Sequence, residues 1–255
     1  MTVYMIGDVD LETAERLVNK AFGKWQAKSN SALKAIGDAV EPAARVILVD
    51  YPGAASSTIV AGHGIGAYDP ETWTELSLMN IVIGGAFESR LNMNLREDKG
   101  WSYGYRSSIS RNTSGDMTFS TRGQVQTDKT AESMQEILKE LEAYVGDEPA
   151  TALEVERVKL NRTRSLPGSF ATNAGFLASI KNSDAYGLPF DYAESAADRI
   201  DAVSVEGIAE RARSVIATDG LTWIVVGDLE KIEEDVRALG FGEVEVWNAF
   251  GEKLR

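Results

Sequence analysis

Cysteine is absent from this 255-residue chain, and histidine occurs once, at His63. The first absence excludes disulfides and thiolate chemistry and is compatible with cytoplasm or periplasm. The second makes a catalytic zinc site a poor prospect, because such a site draws about three ligands from His, Cys and carboxylates and here only one imidazole and scattered acids are on offer. His63 lies in the Gly-flanked apolar stretch Ala61-Gly62-His63-Gly64-Ile65, which reads as a strand end holding a structural or surface histidine. No run approaches the roughly 20 apolar residues of a membrane helix. Basic residues are in deficit, 26 Lys and Arg against 39 Asp and Glu, and the net charge of −13 is spread without long single-sign runs. Phosphate binding needs clustered Lys and Arg, so no nucleic-acid partner is expected. Gly62 to Gly66 and Gly84-Gly85 lack the spacing and the Lys of a phosphate loop, and no serine sits in a Gly-x-Ser-x-Gly elbow.

The chain is most informative from Gly84 to Tyr105, GGAFESRLNMNLREDKGWSYGY. Asn92 to Lys99 reads as the last turns of a helix, with Leu91 and Leu95 four apart on one face. Lys99 suits the negative end of the helix dipole, and Gly100 can take the left-handed conformation that ends a helix. Trp101, Tyr103 and Tyr105 then alternate with Ser102, Gly104 and Arg106, the pattern of a strand. Arg96 is thus expected in a final helical turn and Tyr103 early in the strand that leaves it. A guanidinium and a phenol so placed can both donate to one polarised oxygen. A solvated cap and a packed strand tyrosine explain the same pattern.

Around this block the reading is regular. Strands are expected at Arg45–Tyr51 and Ser57–Ile65, joined by the Pro52-Gly53 turn, and near Trp101–Arg111 and Asp116–Val125. Asp69-Pro70-Glu71 reads as the start of a helix to Ile83 that carries Leu76, Met79 and Ile83. Helices follow at Asp128–Val145 and Ala152–Ser165, the latter opened by a Thr151–Glu154 capping box, with Glu154, Glu156 and Arg157 as a solvated face. Gly168 to Gly175 reads as an interhelical turn or a substrate-facing loop. Further helices are expected at Phe170–Ala185, Asp191–Ile200 and Val205–Ile216, then strand Leu221–Val226, helix Glu230–Leu239 and strand Glu243–Trp247. Paired strands with runs of helices predict an α+β layer, an antiparallel sheet with helices on one face. Tyr4-Met5-Ile6-Gly7-Asp8-Val9 also matches Ile224-Val225-Val226-Gly227-Asp228-Leu229, each read as a strand, a helix-capping Asp and a helix.

Gly84-Gly85-Ala86-Phe87, Ser89-Arg90-Leu91, Leu95-Arg96-Glu97, Lys99-Gly100 and Tyr103 resemble the second-half signature of the pitrilysin/insulinase family of zinc peptidases, which includes the mitochondrial processing peptidases. Val46 to Asp50 with Pro52-Gly53-Ala54, Leu166-Pro167-Gly168 and Val225 to Asp228 are similar to other stretches of that half, so the resemblance spans essentially the whole chain. It implies two similar halves closing around a substrate chamber. The first half holds zinc on an inverted His-x-x-Glu-His helix, a motif missing here. The second half supplies Arg96 and Tyr103 as catalytic and substrate-binding residues, with Ser89 and Arg90 beside them as substrate contacts. Residues 1–25 then become the closing strand and helix of a preceding half, 26–44 a linker, and 45–255 a complete second half. The partners implied are a peptide substrate and a zinc-bearing catalytic half in the same chain or a separate subunit. No metal is expected on this segment. The alternative is a non-catalytic scaffold resembling the core proteins of respiratory complexes. Bacterial relatives imply a periplasmic or membrane-associated parent.

Overall fold

The computed structural model describes residues 2–26, 44–111 and 115–255. The linker expected over 26–44 lies almost wholly outside them. Two compact units emerge, one formed by residues 1–37 with 159–202, the other by 38–158 with 203–255. No helix among the described residues is long and apolar enough to cross a membrane.

The larger unit is built on a six-stranded sheet. Its strands are β1 (Arg45–Asp50), β2 (Ser56–Ala67), β3 (Ser102–Arg111), β4 (Asp116–Gln126), β5 (Thr222–Gly227) and β6 (Glu243–Trp247), in spatial order β3-β4-β2-β5-β1-β6. β3, β4, β2 and β5 pair antiparallel, whereas β1 runs parallel to both β5 and β6. The fold is α+β as expected, with a mixed rather than wholly antiparallel sheet. The difference has a physical basis in β1. Its unbroken Val46-Ile47-Leu48 is buried at every position, as in a strand covered on both sides, whereas β4 alternates core and solvent.

Helices cover one side of this sheet. In chain order the first, α1 (Leu11–Phe22), belongs to the smaller unit, and the larger unit contributes α2 (Trp73–Asn80) and α3 (Arg90–Asn92). The latter two each run on into a π-helical turn, Ile81–Gly85 and Met93–Asp98. α4 (Thr130–Val145) buries Met134, Ile137, Leu141 and Tyr144 at helical spacing. α5 (Ala152–Ser169) opens on the predicted box, with the Thr151 amide donating to Glu154 and the Glu154 amide to the Thr151 hydroxyl. α6 (Asn173–Ala185) and α7 (Ala196–Ala202) complete the smaller unit, while α8 (Val205–Val215) and α9 (Leu229–Ala238) return to the sheet unit. The core centres on Trp223, Tyr105, Phe119 and Tyr144, all essentially inaccessible.

Several expectations need correction. The helix at Asp69-Pro70-Glu71 starts later, at Trp73, because Asp69 closes a local turn onto the Glu71 amide instead of capping a helix. α5 runs through Pro167 to Ser169, so Gly168 to Gly175 straddles a short interhelical turn in which Thr172 caps α6. The repeat holds in its helix and fails in its strand. Residues 224–227 lie within β5, but residues 2–6 form no strand, since none of the described residues of their unit pairs with them. The cap of α1 is Asp10 rather than Asp8, and its carboxylate accepts from the Thr13 amide at 2.7 Å.

Both sheet edges are covered in part. Along β3, Asn92 Oδ1 accepts the Tyr105 amide, and Gly84 packs so tightly that a Cβ there would lie 2.4 Å from the Ser107 nitrogen. Along β6, Val246 pairs with the terminal residues Leu254 and Arg255.

Candidate active-site corner

The helix holding Arg96 is anchored by Leu91 and Leu95, both fully buried. From Met93 to Asp98 the winding widens to a π-helix, and the Lys99 amide reaches back five residues to the Asn94 carbonyl at 2.9 Å. Gly100, at φ +67°, takes the left-handed conformation that lets the chain turn out of the helix. The Trp101 amide then donates to Leu95 O, and β3 begins.

β3 begins with a bulge. Ser102 pairs with core-facing Val125 and Gly104 with solvent-facing Gln124, so Tyr103 is an extra residue with no partner on β4. The Ser102 hydroxyl fastens this irregularity, donating to Gln124 O at 2.6 Å and accepting from the Gly104 amide at 3.1 Å. The Tyr103 ring is thereby held wholly in solvent, at the wall of a cleft of about 430 Å³ shared with Ser56, Trp101, Gln124 and Gln126. A strand tyrosine placed for packing would be half-buried; this one is not.

Arg96 is about a third exposed and lies 3.4 Å from Glu97. Its guanidinium sits 4.4 Å from the centroid of Phe87, a half-exposed ring that Arg106 approaches at 5.7 Å. Arg106 also donates to the Ala86 carbonyl. Burial, and secondarily the charge of Arg96, pull the Arg106 guanidinium below its ordinary value. The fold brings Arg96 and Tyr103 to the two sides of one helix-to-strand turn, as the spacing predicts, and no hydrogen bond joins them.

Ser89 and Arg90 are placed differently. Ser89 is buried, and its hydroxyl donates to Ala86 O at 2.6 Å. Arg90 forks onto Glu154 through two 2.7 Å bonds, donates to Pro149 O at 2.9 Å, and stacks 5.0 Å from the Tyr144 ring. Its donors face protein rather than solvent. Glu154, expected on a solvated face, is largely buried instead. Burial works to raise its carboxyl, but bonds from Arg90 and Thr151 outweigh that and hold it at about 2. This pair fixes the start of α5 against the start of the Arg96 helix.

His63 is structural. Its Nε2 accepts the Ala217 amide at 3.1 Å, which requires the tautomer whose Nδ1–H donates to Gly64 O at 2.9 Å. Both ring nitrogens are engaged, and among the described residues no three His, Asp or Glu side chains gather as metal ligands. The described donors do not assemble into a ligand set for a catalytic zinc.

Phe87, Asn92 and Arg106 were not singled out as site residues in the sequence. Phe87 and Asn92 stand inside the motif block, whereas Arg106 becomes visible only once the β3–β4 register is known.

Known proteins share this fold. The sequence profile described as peptidase M16 inactive domain matches residues 1–162. A structure of a peptidase M16 inactive domain from Pseudomonas fluorescens superposes with TM-score 0.72 at 22% identity, over 87% of this chain and 52% of that one. A protease from Helicobacter pylori gives 0.74 at 15% identity, over 87% and 53%. A chain of complex III from Candida albicans gives 0.60 at 13% identity, over 76% and 49%. Each likeness is one of fold, and the chain spans about half the length of these structures. No curated protein matches. With the profile covering well over half its length, the chain belongs to the family of the peptidase M16 inactive domain.

Proposed function

We propose that this chain is the C-terminal half of a zinc-dependent metallopeptidase, one that lends Arg96 and Tyr103 to an active site whose metal is held by another half or subunit. The observation carrying this reading is the coincidence of two backbone irregularities with two side chains. Arg96 lies in a π-helical turn and Tyr103 is the extra residue of a β-bulge. Such irregularities concentrate at functional sites, where they re-aim a side chain at some cost in regularity. Zinc on the partner half would polarise the scissile carbonyl. In this chain the Tyr103 phenol donates to the oxygen on which charge grows, and Arg96 holds a backbone carbonyl through its fork. Ser89 and Arg90, expected as substrate contacts, act instead by positioning the Arg96 helix.

The test is reconstitution. Alone, the purified chain should hold no stoichiometric zinc and cleave no peptide. Mixed with its zinc-bearing half, it should restore cleavage. One tightly held zinc per chain in metal analysis would overturn the reading.

The fold likeness to a complex III chain supports a second reading, a non-catalytic scaffold subunit. A scaffold has no chemical use for an exposed phenol fixed on a bulge. It would survive loss of the Tyr103 hydroxyl with its assembly and its partner's turnover unchanged.

A further inference from the structure

In a chain of net charge −13, the helix-free side of β3 and β4 carries a local excess of positive charge. Arg106 and Arg122 stand directly opposite each other in the antiparallel register, and Arg96 shares the Phe87 ring with Arg106. Like charges facing across a strand pair destabilise a sheet. Among these three guanidiniums only Arg96 has an acidic neighbour, Glu97. Arg122 is exposed and makes no hydrogen bond or ion pair among the described residues. The positions surrounding the pair on that side are neutral: Gly104, Ser108, Ser120 and Gln124. Asp116 on β4 is six residues from Arg122, about 20 Å along the strand. No carboxylate among the described residues pairs with either guanidinium.

We propose that Arg106 and Arg122 form a subsite for the acidic side chain of a bound peptide, an Asp or Glu a few residues from the bond that Tyr103 faces. A carboxylate between two guanidiniums receives charge-assisted bonds from both and relieves their repulsion. Phe87 serves as the stacking surface that holds the Arg106 plane, and the Ala86 carbonyl fixes one of its donors. Tyr103 and Arg106 are three residues apart on β3, about 10 Å. A peptide lying extended along this corner therefore presents a side chain, rather than its backbone, to the pair. The subsite deepens the peptidase reading, since it needs a peptide at the same corner, but its test needs no catalysis.

The test is peptide binding to the full chain by fluorescence anisotropy, at about 0.01 M ionic strength, where the Debye length is about 30 Å. The probes are labelled decapeptides, acetylated and amidated, identical except for Glu, Gln or Lys at one internal position. The Glu peptide should bind about tenfold more tightly than the Gln peptide. Salt should erode that ratio, and Arg122→Gln or Arg106→Gln should bring it to within about twofold. Equal binding of the Glu and Gln peptides by the wild-type chain overturns the proposal, as does a preference that survives Arg122→Gln. So does a preference that appears only when the amide cap is replaced by a free C-terminal carboxylate. Tyr103→Phe should leave the Glu/Gln ratio intact, so failure of the catalytic assignment and failure of the subsite give different results.

Discussion

Asn92 Oδ1 accepts the Tyr105 amide at 3.1 Å while its Nδ2 donates to Phe87 O at 2.7 Å, so one buried side chain ties the Arg96 helix, the Phe87 loop and the Tyr103 strand together. Asn92 is wholly inaccessible. Asn92→Ala leaves the buried Tyr105 amide and the part-buried Phe87 carbonyl without partners, each costing about 1–3 kcal/mol or less. The variant should therefore unfold with its urea midpoint lowered by the equivalent of about 3 kcal/mol and an unchanged m value. A midpoint within about 0.5 kcal/mol of wild type would show that water or a neighbour replaces the amide.

The Arg90–Glu154 pair gives a stability that depends on pH. Glu154 is shifted down from 4.5 to about 2 in the folded chain, so its contribution is complete above about pH 4.5 and disappears as the pH falls toward 2. Side-chain exposure is under a fifth for both partners, and the shift corresponds to on the order of 3 kcal/mol. Glu154→Gln should be destabilised by about that amount near neutrality, and the gap to wild type should narrow below about pH 4.5 and close only toward pH 2. Parallel curves for the two proteins across this range, measured by urea unfolding, would rule the assignment out.

Legibility in the sequence followed the kind of interaction involved. Leu91, Leu95, Lys99 and Gly100 declared the helix end, because burial spacing and glycine's left-handed freedom are local properties. The strand after Gly100 was equally plain, but the bulge at Tyr103 was not, since a bulge is defined by the register with its partner strand and by the Ser102 bond to Gln124 across it. The same reason hid Arg106 opposite Arg122. Arg90 read as a site residue because its motif neighbours did; only packing reveals that Glu154, 64 residues on, takes its fork. The direction of β1 was implicit in Val46-Ile47-Leu48, a run without alternation, yet parallel pairing needs β5 and β6 in place to be recognised.

Residues 1–25 are proposed as the closing segment of a preceding half, and they should be dispensable for the sheet. α1 buries none of its residues, and Leu11, Leu17 and Phe22 are each at least two-fifths exposed. A chain lacking residues 1–25 should retain cooperative unfolding of the six-stranded unit and associate less at high concentration, as read by sedimentation velocity. Loss of the cooperative transition would mean that the segment belongs to that core.

Tyr103→Phe in the complete, zinc-bearing protein isolates the catalytic proposal. The ring is fully exposed and its hydroxyl bonds nothing among the described residues, so the unfolding midpoint and the zinc content should stay at wild-type values. Turnover should not. Removing a preorganised donor to a developing oxyanion costs on the order of 10²–10³ in kcat, or about 3–4 kcal/mol. Arg96→Ala should raise KM as well, because a fork on a backbone carbonyl already acts in the ground-state complex. Its stacking on Phe87 can be kept by Arg96→Lys, which retains the charge and loses the fork, so partial recovery of KM would separate charge from geometry. If kcat/KM for Tyr103→Phe equals that of the wild type, the phenol has no part in the chemistry and the bulge serves the strand alone.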